Sequence, residues 1–338
     1  MAEQTAAAEG PPPSVAPGQG HYPNCVQLPW HVDVERMLLE LGAFADRTGR
    51  SFSAASGRRV LPLRSVGGDP YRSDSGGPGM SGYSDTPWLR HLPYFQEILD
   101  RLPGPVRAAR LWAASPGGKE VPLRSAKLGP PWGLCRLHLP VVAKPRSYTL
   151  FPGERHYWAP GGLWFVAAWR DYLLVNRSES ELVHLIVDLC HTARTSELFP
   201  EAVRDLTVPP QALLYRRMDP TPQLAAVRCS FLLPDSFMNW EQPAYLFHAA
   251  LNRPNRVRRS ALVPAEIKET AGRPVLHLGD RPVAVLEHLG DHEFRLRGWS
   301  DERTLQVTGR PEAPALLRLR QGSLTYRIEL PPVTEDES

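Results

Sequence analysis

Between residues 106 and 188 the apolar residues of this chain stop recurring every third or fourth position and recur every second one. The runs are short: AARLWAAS, EVPLRSA, CRLHLPVVA, SYTLF, GGLWFVAA, YLLVN and ELVHLIVDL. Turn-forming pairs separate them, among them Pro116-Gly117, Pro130-Pro131, Pro152-Gly153 and Pro160-Gly161. Period-two runs of this length, punctuated by Pro and Gly, make half-buried strands, and many in succession make a β-barrel or a β-sandwich. Helical bundles and coiled coils need the other period.

Around this block the pattern changes. Residues 1–22 are rich in Pro, Gly and Ala; such a tail buries too little to offset chain entropy and is expected to be disordered. Asp33 is placed to cap a helix whose apolar face carries Val34, Met37, Leu38 and Leu41. A second helix is expected over residues 93–102, with Phe95, Ile98, Leu99 and Leu102 on one side. Residues 65–85 form a long Gly/Ser/Asp segment without periodicity; a loop of that length is usually functional, and it is expected to be mobile and to cover the barrel mouth. Residues 200–270 read as helix mixed with Pro-rich turns, and residues 273–332 as strands again. At about 150 residues per domain, 338 residues suggest two. We place a tail at 1–24, a barrel domain at 25–195 and a smaller α+β domain at 196–338.

Composition removes several classes of function. Lys and Arg number 39 against 36 Asp and Glu, a net charge of +3, so nucleic acid is not an expected partner. The basic run at residues 252–260 reads as a solvated face. No apolar run approaches the ~20 residues of a membrane span, and the N-terminus lacks the pattern of a secretory signal. A cytoplasmic location follows as an expectation. The cysteines, Cys25, Cys135, Cys190 and Cys229, form no Cys-x-x-Cys pair and read as buried free thiols. There is no phosphate-binding Gly loop and no nucleophile elbow. His288 and His292 flank a Leu-Gly-Asp turn and read as hairpin residues.

Four segments in order, RLHLPVV (136–142), HYWAPGGLWFV (156–166), LVNR (174–177) and ELVHLIVDL (181–189), resemble the aspartyl/asparaginyl β-hydroxylase-like 2-oxoglutarate oxygenases, which include bacterial proline hydroxylases. The segments at 88–118 and 28–38 fit the same family's lead-in, so the resemblance covers about residues 26–190. It implies a mainly β chain built on a double-stranded β-helix, the cupin-type barrel, with N-terminal helices. It also implies an iron site of His-x-Asp and a distal His, with an Arg for 2-oxoglutarate; two imidazoles and a carboxylate leave iron open positions for co-substrate and dioxygen.

At the matching positions this chain carries Leu123 and Ser125 for the His-x-Asp, Tyr172 for the distal His and Leu182 for the Arg. The literal His31-Val32-Asp33 lies in the N-terminal lead-in and reads as a helix cap. The expectation is therefore no metal and no cofactor. Strand alternation turns Leu182, His184, Ile186 and Asp188 inward, and likewise Arg136 and His138, whose counterparts in the family contact a carboxylate of 2-oxoglutarate. Arg136, His138 and Tyr172 are the candidate catalytic residues, expected to share one cavity. Ser125, His184, Trp132 and Trp164 are the candidate substrate contacts, and Trp112, Trp132, Trp158, Trp164 and Trp169 suggest an aromatic-lined pocket.

The expected function is a repurposed oxygenase fold acting as a metal-independent cyclase, isomerase or lyase on a small specialised metabolite. The alternatives are a non-catalytic pseudo-enzyme that binds a ligand or partner, and an iron/2-oxoglutarate hydroxylase with other ligands.

Overall fold

The computed structural model of the chain describes residues 22–48, 58–117, 121–123, 127–222, 227–240 and 262–333. The expected N-terminal tail before Tyr22, Ser125, the basic run at 252–260 and the acidic C-terminal residues lie outside them.

Among the described residues the first half contains eleven strands. They are β1 (Cys25–His31), β2 (Arg58–Val66), β3 (Tyr83–Asp85), β4 (Val106–Ala114), β5 (Val121–Leu123), β6 (Leu134–Val142), β7 (Ser147–Phe151), β8 (Glu154–His156), β9 (Gly162–Val166), β10 (Tyr172–Asn176) and β11 (Leu182–Cys190). One sheet has the order β1-β9-β6-β11-β4-β2-β3 and the other β5-β10-β7-β8. From β4 to β11 the chain thus crosses between sheets, contributing β4, β6, β9 and β11 to one and β5, β7, β8 and β10 to the other. This is the double-stranded β-helix.

The alternation read from sequence sorts the large sheet's residues onto two faces. Trp112, Leu134, Val166, Leu182, Ile186 and Cys190 share one core with the second half of the chain. Leu111, Cys135, Leu137, Phe165, Val183, Leu185 and Val187 share another with the helices. β11 is buried along its whole length because both faces are covered; each large apolar side chain so placed stabilises by about 1.5–3 kcal/mol.

The helices α1 (Val34–Thr48) and α2 (Pro93–Asp100) lie on that second face. The Asp33 carboxylate accepts the Arg36 N–H at 3.1 Å, which is the capping bond expected of it. Of the face expected for α1, Leu38 is exposed, and Met37 and Phe44 are the buried residues. Phe44 continues the Val34–Met37–Leu41 stripe, and Leu38 falls to its solvent side.

After α3 (Ala193–Ser196) and α4 (Glu201–Arg204) come eight strands in sequential antiparallel order. They are β12 (Cys229–Pro234), β13 (Leu262–Thr270), β14 (Arg273–Leu278), β15 (Arg281–His288), β16 (Glu293–Leu296), β17 (Arg303–Arg310), β18 (Ala313–Gln321) and β19 (Leu324–Leu330). The Leu232 N–H donates to the Pro331 carbonyl at 2.8 Å, bringing the first strand beside the end of the last and nearly closing a second barrel. Two of its strands, β12 and β13, fall in the stretch expected to mix helix and turn. Helix in the described residues after 196 is limited to α4 and short 3-10 turns. His288 ends β15 and His292 sits beyond the turn, so both are hairpin residues as read.

Candidate functional site

Register brings the inward residues of three strands into rows. His138 on β6 and Arg110 on β4 both pair with Ile186 on β11, and Arg136 pairs with Asp188. Arg136 donates to Asp188 from Nε (2.6 Å) and from NH2 (2.9 Å), a two-point fork. Arg110 adds a third bond to the same carboxylate at 3.2 Å. Burial alone would raise the Asp188 carboxyl, but the charges of Arg136 and Arg110 outweigh it and hold the group far below the usual carboxylate range.

Tyr172, the first residue of β10, faces this row. The Tyr172 hydroxyl lies 3.3 Å from His138 Nε2, and His138 Nδ1 lies 3.3 Å from His184 Nδ1. The donor in each contact is set by the imidazole tautomers, so the row can be protonated in either direction. The Arg136 charge bears on the phenol. Burial, reinforced by His184 and the two guanidiniums, lowers His138 well below the ordinary imidazole range. Burial lowers His184 to about 3 and raises the Tyr172 phenol. All three groups are therefore neutral at pH 7.

Trp158 packs on both imidazoles and stacks on Trp164 at 5.4 Å, while Phe151 stacks on Tyr172 at 5.3 Å. A space of about 10 Å³ remains beside His184, between Ser147, Thr149, Trp158 and Leu182, room for about one water. On the other side Tyr172 lines an apolar cavity of about 340 Å³ with Leu123, Leu150, Phe151 and Leu173.

The structure thus brings together Arg136, His138, Tyr172 and His184, with Trp164 one layer out. It does not bring Trp132, which lies on the helix-facing side against Trp169. The five tryptophans line no common pocket: Trp112, Trp158 and Trp164 pack in the core shared with the second half, and Trp132 and Trp169, from a 3-10 turn and a loop, pack in the other. Sequence reasoning turned Asp188 inward without seeing that it would take up Arg136, and it missed Arg110. The inward direction of Arg110 could have been found by continuing the period-two count along β4 from Trp112; its partner could not.

The loop at 65–85 does reach the barrel: Ser75 Oγ accepts from Arg136 NH2 at 2.6 Å. Elsewhere, Cys135 Sγ meets His191 Nδ1 at 3.1 Å on the helix-facing side, where burial pushes the thiol well up.

Leu123 and Tyr172, the positions matched to a metal-ligating His and the distal His, are direct partners across β5 and β10. Leu182, matched to the 2-oxoglutarate Arg, opens β11. Two of these three side chains are hydrocarbon, and the Asp188 carboxylate is taken up by two guanidiniums. At the described positions that the resemblance assigns, Leu123 and Leu182 offer no donor atom to a ferrous ion or to 2-oxoglutarate. Among the described residues no group of three or more His, Cys, Asp or Glu side chains is placed to hold a metal.

No protein-family model matches the chain, and no curated protein does. Among solved structures it is similar to a 2OG-Fe(II) oxygenase-family oxidoreductase from Burkholderia pseudomallei, with 12% identity, 49% of this chain and 84% of that one covered, and a TM-score of 0.36. A viral collagen prolyl hydroxylase from Paramecium Bursaria Chlorella virus-1 aligns at 9% identity over 56% of this chain and 100% of that one, with a TM-score of 0.30. A nickel complex of the non-heme monooxygenase ThoJ aligns at 11% identity over 51% and 76%, with a TM-score of 0.31. The strand order given above carries the fold assignment independently of these scores.

Proposed function

We propose that this chain is a metal-independent catalyst of proton transfer, of the cyclase or isomerase kind, on an uncharged and largely apolar small molecule. The observation that carries the reading is the buried hydrogen-bonded row Tyr172–His138–His184 beside the Arg136 guanidinium, at the position the resemblance gives to a distal ligand and bordering the apolar cavity at Tyr172.

The chain of neutral groups has two settings. In one, Tyr172 donates inward to His138, which donates to His184. In the other, His184 donates to His138 and His138 to the phenol oxygen, leaving the phenol proton to a carbonyl or alkene in the cavity. As the phenol proton passes to the substrate, the phenol takes the His138 Nε2 proton, His138 takes the His184 Nδ1 proton, and the proton that the substrate gives up returns through water to His184 Nε2, so no net charge is left; general acid catalysis of this sort contributes about 10²–10⁴-fold. Arg136 steadies the phenol oxygen as its proton leaves. The cavity supplies position. A lyase step would use the same donor.

A second reading, a pseudo-enzyme that holds its ligand without turnover, draws on a different observation: Arg136 already has Asp188 and Ser75 as partners.

One experiment separates the readings. Small-molecule extracts of the native host with the gene deleted are incubated with purified protein, anaerobically and with EDTA. The expected result is conversion of an accumulated compound, lost in Tyr172→Phe and retained without oxygen. Conversion that requires added Fe(II) and 2-oxoglutarate and yields succinate would overturn the proposal. Ligand retention without conversion would establish the pseudo-enzyme.

A further inference from the structure

Where β4 meets β11, Asp188 pairs with Ala108 but the next residue, Leu189, pairs with Val106. Arg107 is the extra residue of a β-bulge, a device that re-aims a side chain at the end of a ladder. It is turned out of the first barrel toward the second, and it is 3% exposed. Its NH2 group donates to the Tyr83 phenol (2.7 Å) and the Gly298 carbonyl (2.6 Å). The Tyr83 and Trp299 rings each lie 4.9 Å from its guanidinium carbon. Nε and NH1 are buried and have no hydrogen-bond partner.

A buried cation is ordinarily paired with a carboxylate. Arg136 and Arg110 share Asp188, and Arg295 has Glu287 and Asp301. Arg107 has a phenol, a carbonyl and two ring faces, and the Asp188 charge reaches it through space without a hydrogen bond. Buried groups left unsatisfied in a native structure call for an explanation; two idle donors on a bulge-aimed arginine are those of an anion site.

Its cover is the glycine-rich loop. Tyr83 donates to the Ser75 carbonyl at 2.9 Å, and Gly79 bonds to Arg297 and Val285 through its backbone. With Ser75 Oγ on Arg136, these contacts close over Arg107 like a strap between the two barrels. We propose that Arg107, with the Tyr83 phenol, forms a binding site for a small oxyanion, a carboxylate or a phosphate. The site is separate from the Tyr172 cavity and is entered when the segment between Gly67 and Gly82 lifts.

The test uses the full chain in thermal melts against phosphate and against benzoate, each matched in ionic strength with chloride. The expected result is a saturable rise in Tm with at least one of the two, and the anion that acts identifies the source. Arg107→Met should abolish the rise, the exposed Arg310→Met should keep it, and Tyr83→Phe should weaken the apparent affinity severalfold. Should Arg107→Met fail to fold, Tyr83→Phe and quenching of tryptophan fluorescence in the unaltered protein carry the test. No saturable response to either anion would overturn the site, as would an equal response in Arg107→Met or, where that variant does not fold, in Tyr83→Phe.

Discussion

Asp188 takes three hydrogen bonds from two buried guanidiniums, so its loss leaves two cations without a counter-charge. Asp188→Asn should destabilise the fold by about 3–5 kcal/mol, read from urea midpoints. The imidazoles give a pH dependence of definite sign. His184 has its ordinary pKa of 6.5 when unfolded and about 3 when folded. Above the unfolded value both states are neutral and the group contributes no pH dependence. Below it the unfolded chain binds a proton that the folded chain refuses, so stability is lost as pH falls from about 6.5 toward about 3. His138 and His191 act in the same direction. Urea midpoints measured across this range should fall, and His184→Gln should flatten part of the slope. An unchanged slope in that variant would contradict the neutral assignment of the pair.

At the scale of elements, the loop before β3 depends on backbone that only glycine adopts easily. Gly76 has a φ of +66°, and a Cβ there would meet the Tyr83 hydroxyl and Val66. Gly76→Ala should cost about 1–2 kcal/mol from backbone conformation alone, with the displaced Tyr83 adding to it. Strands were legible wherever alternation was clean: β4, β6, β7 and β9 to β11 stand within a few residues of their sequence runs, and β14 to β19 fall in the stretch 273–332 read as strands. β2 was not read, because Pro62 interrupts it; a bulge between Pro62 and Arg64 absorbs the missing donor. β13 was missed for a related reason, since Pro264 and the charged residues after it mask a strand whose inner face is only Ala265 and Ile267. In the site, the residues within one strand were legible, and the pairings between strands were not. Arg136 with Asp188 and Tyr172 with His138 depend on register, which no local pattern specifies.

For the molecule as a whole, the two barrels share one core. Trp112, Tyr172 and Leu182 belong to the same buried cluster as Phe231, Leu286 and Leu317. The pair Lys127–Glu302, 2.7 Å apart and buried, ties the halves further. We therefore expect one cooperative unfolding transition, with tryptophan fluorescence and far-ultraviolet circular dichroism giving the same midpoint; separate midpoints would show the domains at 25–195 and 196–338 to be independent. The closing bond of the second barrel, from Leu232 to Pro331, bears on how the chain is made. Ninety-nine positions separate its ends by number, so during translation β12 has no neighbour on one side until residue 331 has left the exit tunnel. Until then the nascent chain displays the apolar inner row of Phe231 and Leu233 beside an open strand edge, the interval in which a chaperone would engage it.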